Sequence, residues 1–148
     1  DKWEEGIELQ KERHNDSNIT YYTSFDEFIK HDMDAVVLAN YANEHVPFGI
    51  RLLESGRHIM TECLTCATMK EAVELIETVE TTGKIYAYGE NYCYMAAPYE
   101  MYRRYKNGDI GEFEYGECEY LHNCESIWHQ ITYGDKNHWR NRHIHLRN

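Results

Sequence analysis

Short unbroken apolar runs along this chain alternate with longer segments whose apolar residues recur every three or four positions. Ala35-Val36-Val37-Leu38-Ala39 is the clearest run. Being β-branched and bounded by polar residues, it predicts a strand buried on both faces, as in a parallel sheet. Residues 19–23, 58–61 and 84–88 are further short strands by the same reading. Helical spacing fills the intervals. Residues 3–14 carry Trp3, Ile7 and Leu9 among charges. Ser24-Phe25-Asp26-Glu27 has a capping-box pattern and predicts a short helix to about His31. A helix over 44–55 stops at Gly56, where a left-handed residue ends a helix. Thr68-Met69-Lys70-Glu71 is a second capping box; Met69, Ala72, Val73, Ile76 and Val79 follow at helical spacing as far as Gly83.

To about residue 90 this rhythm is strand, helix, strand, helix, which specifies a parallel sheet with crossover helices. Ligands of such sheets bind beyond the carboxyl ends of the strands. The residues there are Asn40-Tyr41, Glu62 and Asn91. A further helix has Pro98 near its first turn and closes at Gly108. The pattern then changes. Glu112-Phe113-Glu114-Tyr115 alternates, and beyond Gly116 the large apolar residues move from odd to even positions. An antiparallel-type strand with a bulge at Gly116 explains that switch. Residues 122–148 show no clear period. The fold class predicted is α/β: a partial Rossmann-type parallel sheet, then the start of a second α/β domain with an antiparallel sheet.

Charge narrows the partners. Fifteen Lys and Arg against 26 Asp and Glu leave a net charge of -11. That excess of acid argues against nucleic acid and against an anionic membrane surface, because phosphates repel it. A 42% hydrophobic content supplies a core. No apolar run approaches the roughly 20 residues of a membrane span, and Asp1-Lys2-Trp3-Glu4-Glu5 does not resemble a signal peptide. Five cysteines, an odd number, read as free thiols in a reducing compartment, hence the cytoplasm. Cys63 and Cys66 have the spacing of a redox dithiol or half a zinc site, and equally of two half-buried loop residues. His143-x-His145 invites a metal reading, but no carboxylate or cysteine at ligand spacing completes it. No metal is assigned.

The order of strand-end residues resembles one family. His58-Ile59-Met60-Thr61-Glu62-Cys63-Leu64-Thr65-Cys66-Ala67-Thr68, followed by a helix, is similar to the signature segment of the Gfo/Idh/MocA oxidoreductases. The likeness extends over about residues 19–121, through Gly89-Glu90-Asn91-Tyr92 and Asn107-Gly108-Asp109-Ile110-Gly111-Glu112. Glu90-Asn91-Tyr92-Cys93-Tyr94 and Trp139-Arg140 resemble the branch that includes glycosidases using NAD as a built-in redox cofactor. The resemblance implies residues 1–90 as the C-terminal part of a Rossmann dinucleotide-binding domain and 91–148 as the start of a substrate domain. It implies NAD, with NADP as the alternative, a carbohydrate-like small-molecule substrate and a homo-oligomer.

Two departures bear on that expectation. Where the family usually has Glu-Lys-Pro, this chain has Glu62-Cys63-Leu64, so the lysine that assists proton transfer is replaced. No Gly-x-Gly-x-x-Gly occurs in the 148 residues. Asp1 stands where the acidic residue after the second strand is expected, placing the first βαβ unit upstream. In the 3-2-1-4-5-6 order the sheet then lacks its middle, and the edge of the fourth strand is open.

The resemblance also implies site residues. Glu62 would lie beside the nicotinamide ribose, against the plain reading of a solvated loop glutamate. Asn91 is an amide at a strand end or a turn residue. Asn40 and His45 would line the cofactor, although His45 also reads as a first-turn surface histidine. Asp1 would meet a ribose hydroxyl, which favours NAD. Trp139 and Arg140 would pack near the nicotinamide. Tyr92 and His122 would face the cleft and move a proton at a sugar hydroxyl, with a structural tyrosine as the plain alternative. Three functions follow: a dehydrogenase passing hydride between a sugar or cyclitol carbon and nicotinamide, an NAD-dependent glycosidase, and a non-catalytic interaction fragment. By itself this chain is expected to be inactive.

Overall fold

The computed structural model describes residues 4–14, 16–119 and 121–141. The chain divides after Tyr88 into two compact units. In the first, β1 (Ala35–Leu38), β2 (His58–Thr61) and β3 (Tyr86–Tyr88) form a parallel sheet in the order β1-β2-β3. Val36 pairs with Ile59 and Leu38 with Thr61; on the other side Ile59 pairs with Tyr86. Each parallel pair needs a crossover, and α3 (His45–Glu54) and α4 (Met69–Thr82) supply the two.

Helix α4 begins and ends as its sequence predicts. The Thr68 side chain accepts from the Glu71 N–H, and the Glu71 carboxylate accepts from the N–H groups of Thr68 and Ala67. Gly83 closes it in the left-handed region, at φ 65°. Gly56 takes φ 90° beyond α3. The core lies between sheet and helices: Val36, Leu38 and Ile59 from the strands meet Val46, Leu52, Leu53 and Leu75.

One expectation about β1 is corrected. The strand is buried on one face only: Val36 and Leu38 point into the core, whereas Val37 is 69% exposed. Helices α3 and α4 pack against each other on a single side of the sheet, and nothing among the described residues covers the other. Met60 on β2 is exposed on that bare face too. Among the described residues β1 pairs with β2 alone, so its outer edge is open to them.

Residues 19–23 do not form the expected strand; they run as irregular chain between α1 (Glu4–Arg13) and α2 (Phe25–Phe28). A lone strand leaves its backbone groups unpaired, and no strand among the described residues lies beside this segment. Helix α2 is a single turn, and Ser24 makes no side-chain cap bond; Glu27 pairs with Lys30 instead. The turn is held onto α3 by Phe25 against Phe48, with centroids 4.4 Å apart, and by Arg51 with Asp26.

The second unit contains α5 (Ala96–Lys106) and α6 (Glu125–Ile131). No strand occurs among its described residues, so the antiparallel strand and its bulge at Gly116 are absent from 112–119. Phe113 and Tyr115 are exposed there. Alternation marks a segment able to pair; the ladder needs a partner, and none is present among the described residues. Helix α6 arises where the sequence has no clear period, because seven residues are too few to display one. Its one local signal is Asn123, whose side chain accepts from the Glu125 N–H.

Candidate functional site

Parallel strands bring their carboxyl ends to one edge of the sheet, and in the first unit Asn40 and Glu62 follow β1 and β2 there. The Glu62 N–H donates to the Leu38 carbonyl at 3.0 Å, carrying the ladder one rung beyond the strand. Glu62 is exposed, and its carboxylate has no hydrogen bond or ion pair among the described residues. Asn40 differs. Both polar atoms of its side chain are shielded from solvent and have no partner among the described residues. An amide so placed leaves hydrogen-bonding capacity unsatisfied, at a cost of about 1–3 kcal/mol per group. A polar ligand at the sheet edge would recover that cost.

His45 opens α3 and is 0% exposed. Its Nδ1 lies 2.6 Å from the Leu64 carbonyl oxygen and its Nε2 lies 3.2 Å from the Asn40 carbonyl oxygen. The reading of His45 as a surface histidine is therefore corrected. Residues following β1 and β2 meet on one imidazole. A backbone carbonyl leaves no trace in a sequence, so Leu64 could not have been singled out in advance.

Beneath these loops Thr61, 1% exposed, shares a 2.9 Å hydrogen bond with the Tyr86 hydroxyl. Burial pushes the Tyr86 pKa up, and its hydrogen bonds to Thr61 and Thr65 pull back against that. Cys63 is exposed and Cys66 half-buried, and the Cys63–Leu64 peptide is cis. Among the described residues no three His, Cys, Asp or Glu side chains gather as metal ligands. His143 and His145 lie outside the described residues, as does Asp1.

The remaining candidates belong to the second unit. Asn91 is exposed, and its carbonyl accepts from the Tyr94 N–H at 3.1 Å. Tyr92 is 48% exposed, and its N–H donates to the Glu90 carboxylate. His122 is exposed. The Arg140 guanidinium stacks over the Trp139 ring at 4.5 Å and donates through Nε to the Ile131 carbonyl at the end of α6. That contact holds the two side chains together; an arginine over an indole face is attracted by the ring quadrupole. Alongside them Trp128 donates to Asn141, a pair to which the sequence had drawn no attention.

Residues 3–90 match the model of GFO_IDH_MocA, the oxidoreductase family with an NAD-binding Rossmann fold. Glycosyl hydrolase family 109 protein 1 of Shewanella sp. (strain ANA-3) is 31% identical over 91 residues, which are 62% of this chain and 20% of that protein. Glycosyl hydrolase family 109 protein 2 of Bacteroides fragilis (strain YCH46) is 28% identical over 110 residues, 73% of this chain and 26% of that protein. The chain thus spans a fifth to about a quarter of the length of these relatives. The WlbA dehydrogenase of Bordetella pertussis, crystallised with NADH and UDP-GlcNAcA, superposes with a TM-score of 0.69 at 16% identity, covering 76% of this chain and 32% of that one. The myo-inositol 2-dehydrogenase of Lactobacillus plantarum gives 0.66 at 20% identity, covering 74% and 32%. At those identities the two structures speak for the fold alone. The family model matches more than half of these 148 residues, along the sheet whose carboxyl edge carries Asn40 and Glu62, and the chain belongs to the Gfo/Idh/MocA oxidoreductase family.

Proposed function

We propose that this chain is part of an NAD-dependent enzyme that passes hydride between a carbohydrate ring carbon and nicotinamide, with NADP as the alternative cofactor. The observation that carries the reading is the unpartnered Asn40 amide beside the free Glu62 carboxylate at the carboxyl edge of a parallel sheet. Such a pair suits the nicotinamide side of a dinucleotide: the amide both donates and accepts, and the carboxylate accepts from ribose hydroxyls. The pyrophosphate side has no counterpart here, because no Gly-x-Gly-x-x-Gly occurs in the 148 residues. When bound, the cofactor supplies the hydride acceptor. On this reading Asp1 meets a ribose hydroxyl, Asn91, Trp139 and Arg140 complete the nicotinamide surroundings, and Tyr92 and His122 move the proton at the sugar hydroxyl. Residues 1–90 belong to the dinucleotide domain and 91–148 begin the substrate domain. The protein works in the cytoplasm as a homo-oligomer. No helix among the described residues is long and apolar enough to cross a membrane.

A second reading has its own support. Cys63 replaces the lysine expected after Glu62, and the curated relatives carry the name glycosyl hydrolase family 109. The same hydride transfer would then oxidise the sugar transiently, loss of the acidified neighbouring ring proton would eliminate the leaving group, water would add across the double bond so formed, and the hydride would return, so that NAD is regenerated at each turnover. Incubating the full-length gene product with NAD and either chromogenic glycosides or free sugars and cyclitols separates the two. Accumulating NADH with a free sugar, without glycoside cleavage, supports the dehydrogenase. Cleavage without net NADH supports the glycosidase. Neither activity, together with no binding of NAD, overturns both and leaves the non-catalytic interaction reading.

A further inference from the structure

We infer that His45 is a positioning residue: its imidazole clasps the loop after β1 to the loop after β2 and so sets where the Asn40 amide and the Glu62 carboxylate point. The ring is wholly buried, and both nitrogens already face backbone carbonyls. One carbonyl belongs to Asn40 itself, whose side chain is the orphaned amide. The other belongs to Leu64, two residues beyond Glu62. A neutral imidazole has one N–H to give, and the 2.6 Å approach to Leu64 marks where it goes; the doubly protonated ring donates to both. In the neutral ring the Leu64 bond alone ties the loop after β2 to the first residue of α3, directly behind the loop after β1, and Nε2 packs against the Asn40 carbonyl without a hydrogen bond; in the doubly protonated ring both carbonyls are bonded to one rigid plane. Val46 beside it is buried in the core, so the clasp is fixed to the scaffold rather than to another loop. The paired register of β1 and β2 ends at Leu38 and Thr61, and the bond from the Glu62 N–H to the Leu38 carbonyl carries it one step further.

The placement half of this inference rests on the reading of Asn40 and Glu62 as nicotinamide-side groups; the clasp itself does not. The test uses the full-length gene product as wild type, His45→Asn and His45→Gln, each shorter or more flexible than imidazole and unable to span both carbonyls. Hydrogen exchange is mapped over residues 39–44 and 62–67 and over α4, and the affinities for NAD and for ADP are measured. ADP carries the adenosine and phosphates without the nicotinamide half. Exchange in both loops should quicken about tenfold with α4 unchanged, and NAD should bind about tenfold more weakly while ADP stays within about twofold. Loop exchange equal to wild type overturns the clasp. Equal losses for NAD and ADP, or protection lost over α4 as well, overturn positioning in favour of general support of the fold. Wild type that binds ADP but gains nothing from the nicotinamide half overturns the placement and the functional reading together, and loop exchange then decides the clasp alone.

Discussion

At the scale of single residues, Glu62 and Tyr86 behave oppositely and are testable apart. Glu62 is exposed and free among the described residues, so nothing in the fold depends on its charge. Glu62→Gln in the full-length product should leave thermal stability within about 0.5 kcal/mol. The same change should weaken NAD binding roughly tenfold or more, the scale of a hydrogen bond to a charged group. Calorimetric titration beside a melting curve measures both; unchanged affinity would remove Glu62 from the site. Tyr86 serves the fold. Burial raises its pKa above the ordinary 10.0, so the unfolded chain releases that proton first as pH rises. Its contribution is complete below pH 10.0 and is lost as the pH climbs through the folded-state value. Tyr86→Phe should cost about 1 kcal/mol at neutral pH, through the lost bond to Thr61. The deficit should narrow in alkali, as urea unfolding at the two pH values will show. A deficit that widens there would mean the burial argument has the wrong sign.

Among the elements, α4 and α3 yield predictions of opposite direction. Thr68→Ala removes one half of the capping box and leaves the Glu71 N–H without its acceptor. The expected loss is about 1 kcal/mol by thermal or chemical unfolding. Gly49 sits inside α3 and faces β3, where its bare backbone looks like a close-packing requirement. An added Cβ would nonetheless lie 3.8 Å from Tyr86 Cε2 and 3.9 Å from Leu75 Cδ1, ordinary contact distances. Gly49→Ala should therefore stabilise by about 0.5–1 kcal/mol, the helix-propensity gain alone. A drop in melting temperature would show that α3 cannot accept even a methyl group against the sheet. Both helices were legible in the sequence for the same reason. Capping and left-handed closure are local chemistry, readable from Thr68, Glu71, Gly56 and Gly83 without knowledge of the neighbours.

On the whole-molecule scale, cofactor affinity depends on groups distributed over more than these residues. Asn40, Glu62 and Asn91 offer no positive charge to two phosphates, and the net charge of -11 opposes them. The 148-residue chain alone should bind NAD orders of magnitude more weakly than the full-length product. Several backbone N–H contacts to the pyrophosphate, worth roughly 1.5–3 kcal/mol each, lack their Gly-rich turn in this sequence. Titrating the chain with NAD and with NADH is the measurement, and micromolar affinity would show that the cofactor site has been misplaced. The bare sheet face with Val37 and Met60 belongs to the same scale, since a parallel sheet is normally covered on both sides.

What the sequence determined by itself was whatever a residue and its near neighbours decide. The three parallel strands, the helices that cross between them and the strand-end placement of Asn40 and Glu62 all follow from periodicity, caps and turn glycines. Tertiary structure decided the rest. Residues 19–23 and 112–119 have strand-like patterns and no strand, because a ladder exists only between two segments. The apolar run of β1 promised two covered faces and has one, because coverage is a property of the elements around a strand. His45 also reads as a first-turn surface histidine until the fold brings two loop carbonyls onto its ring; its two partners lie five and nineteen residues away, and only packing brings them to the same imidazole.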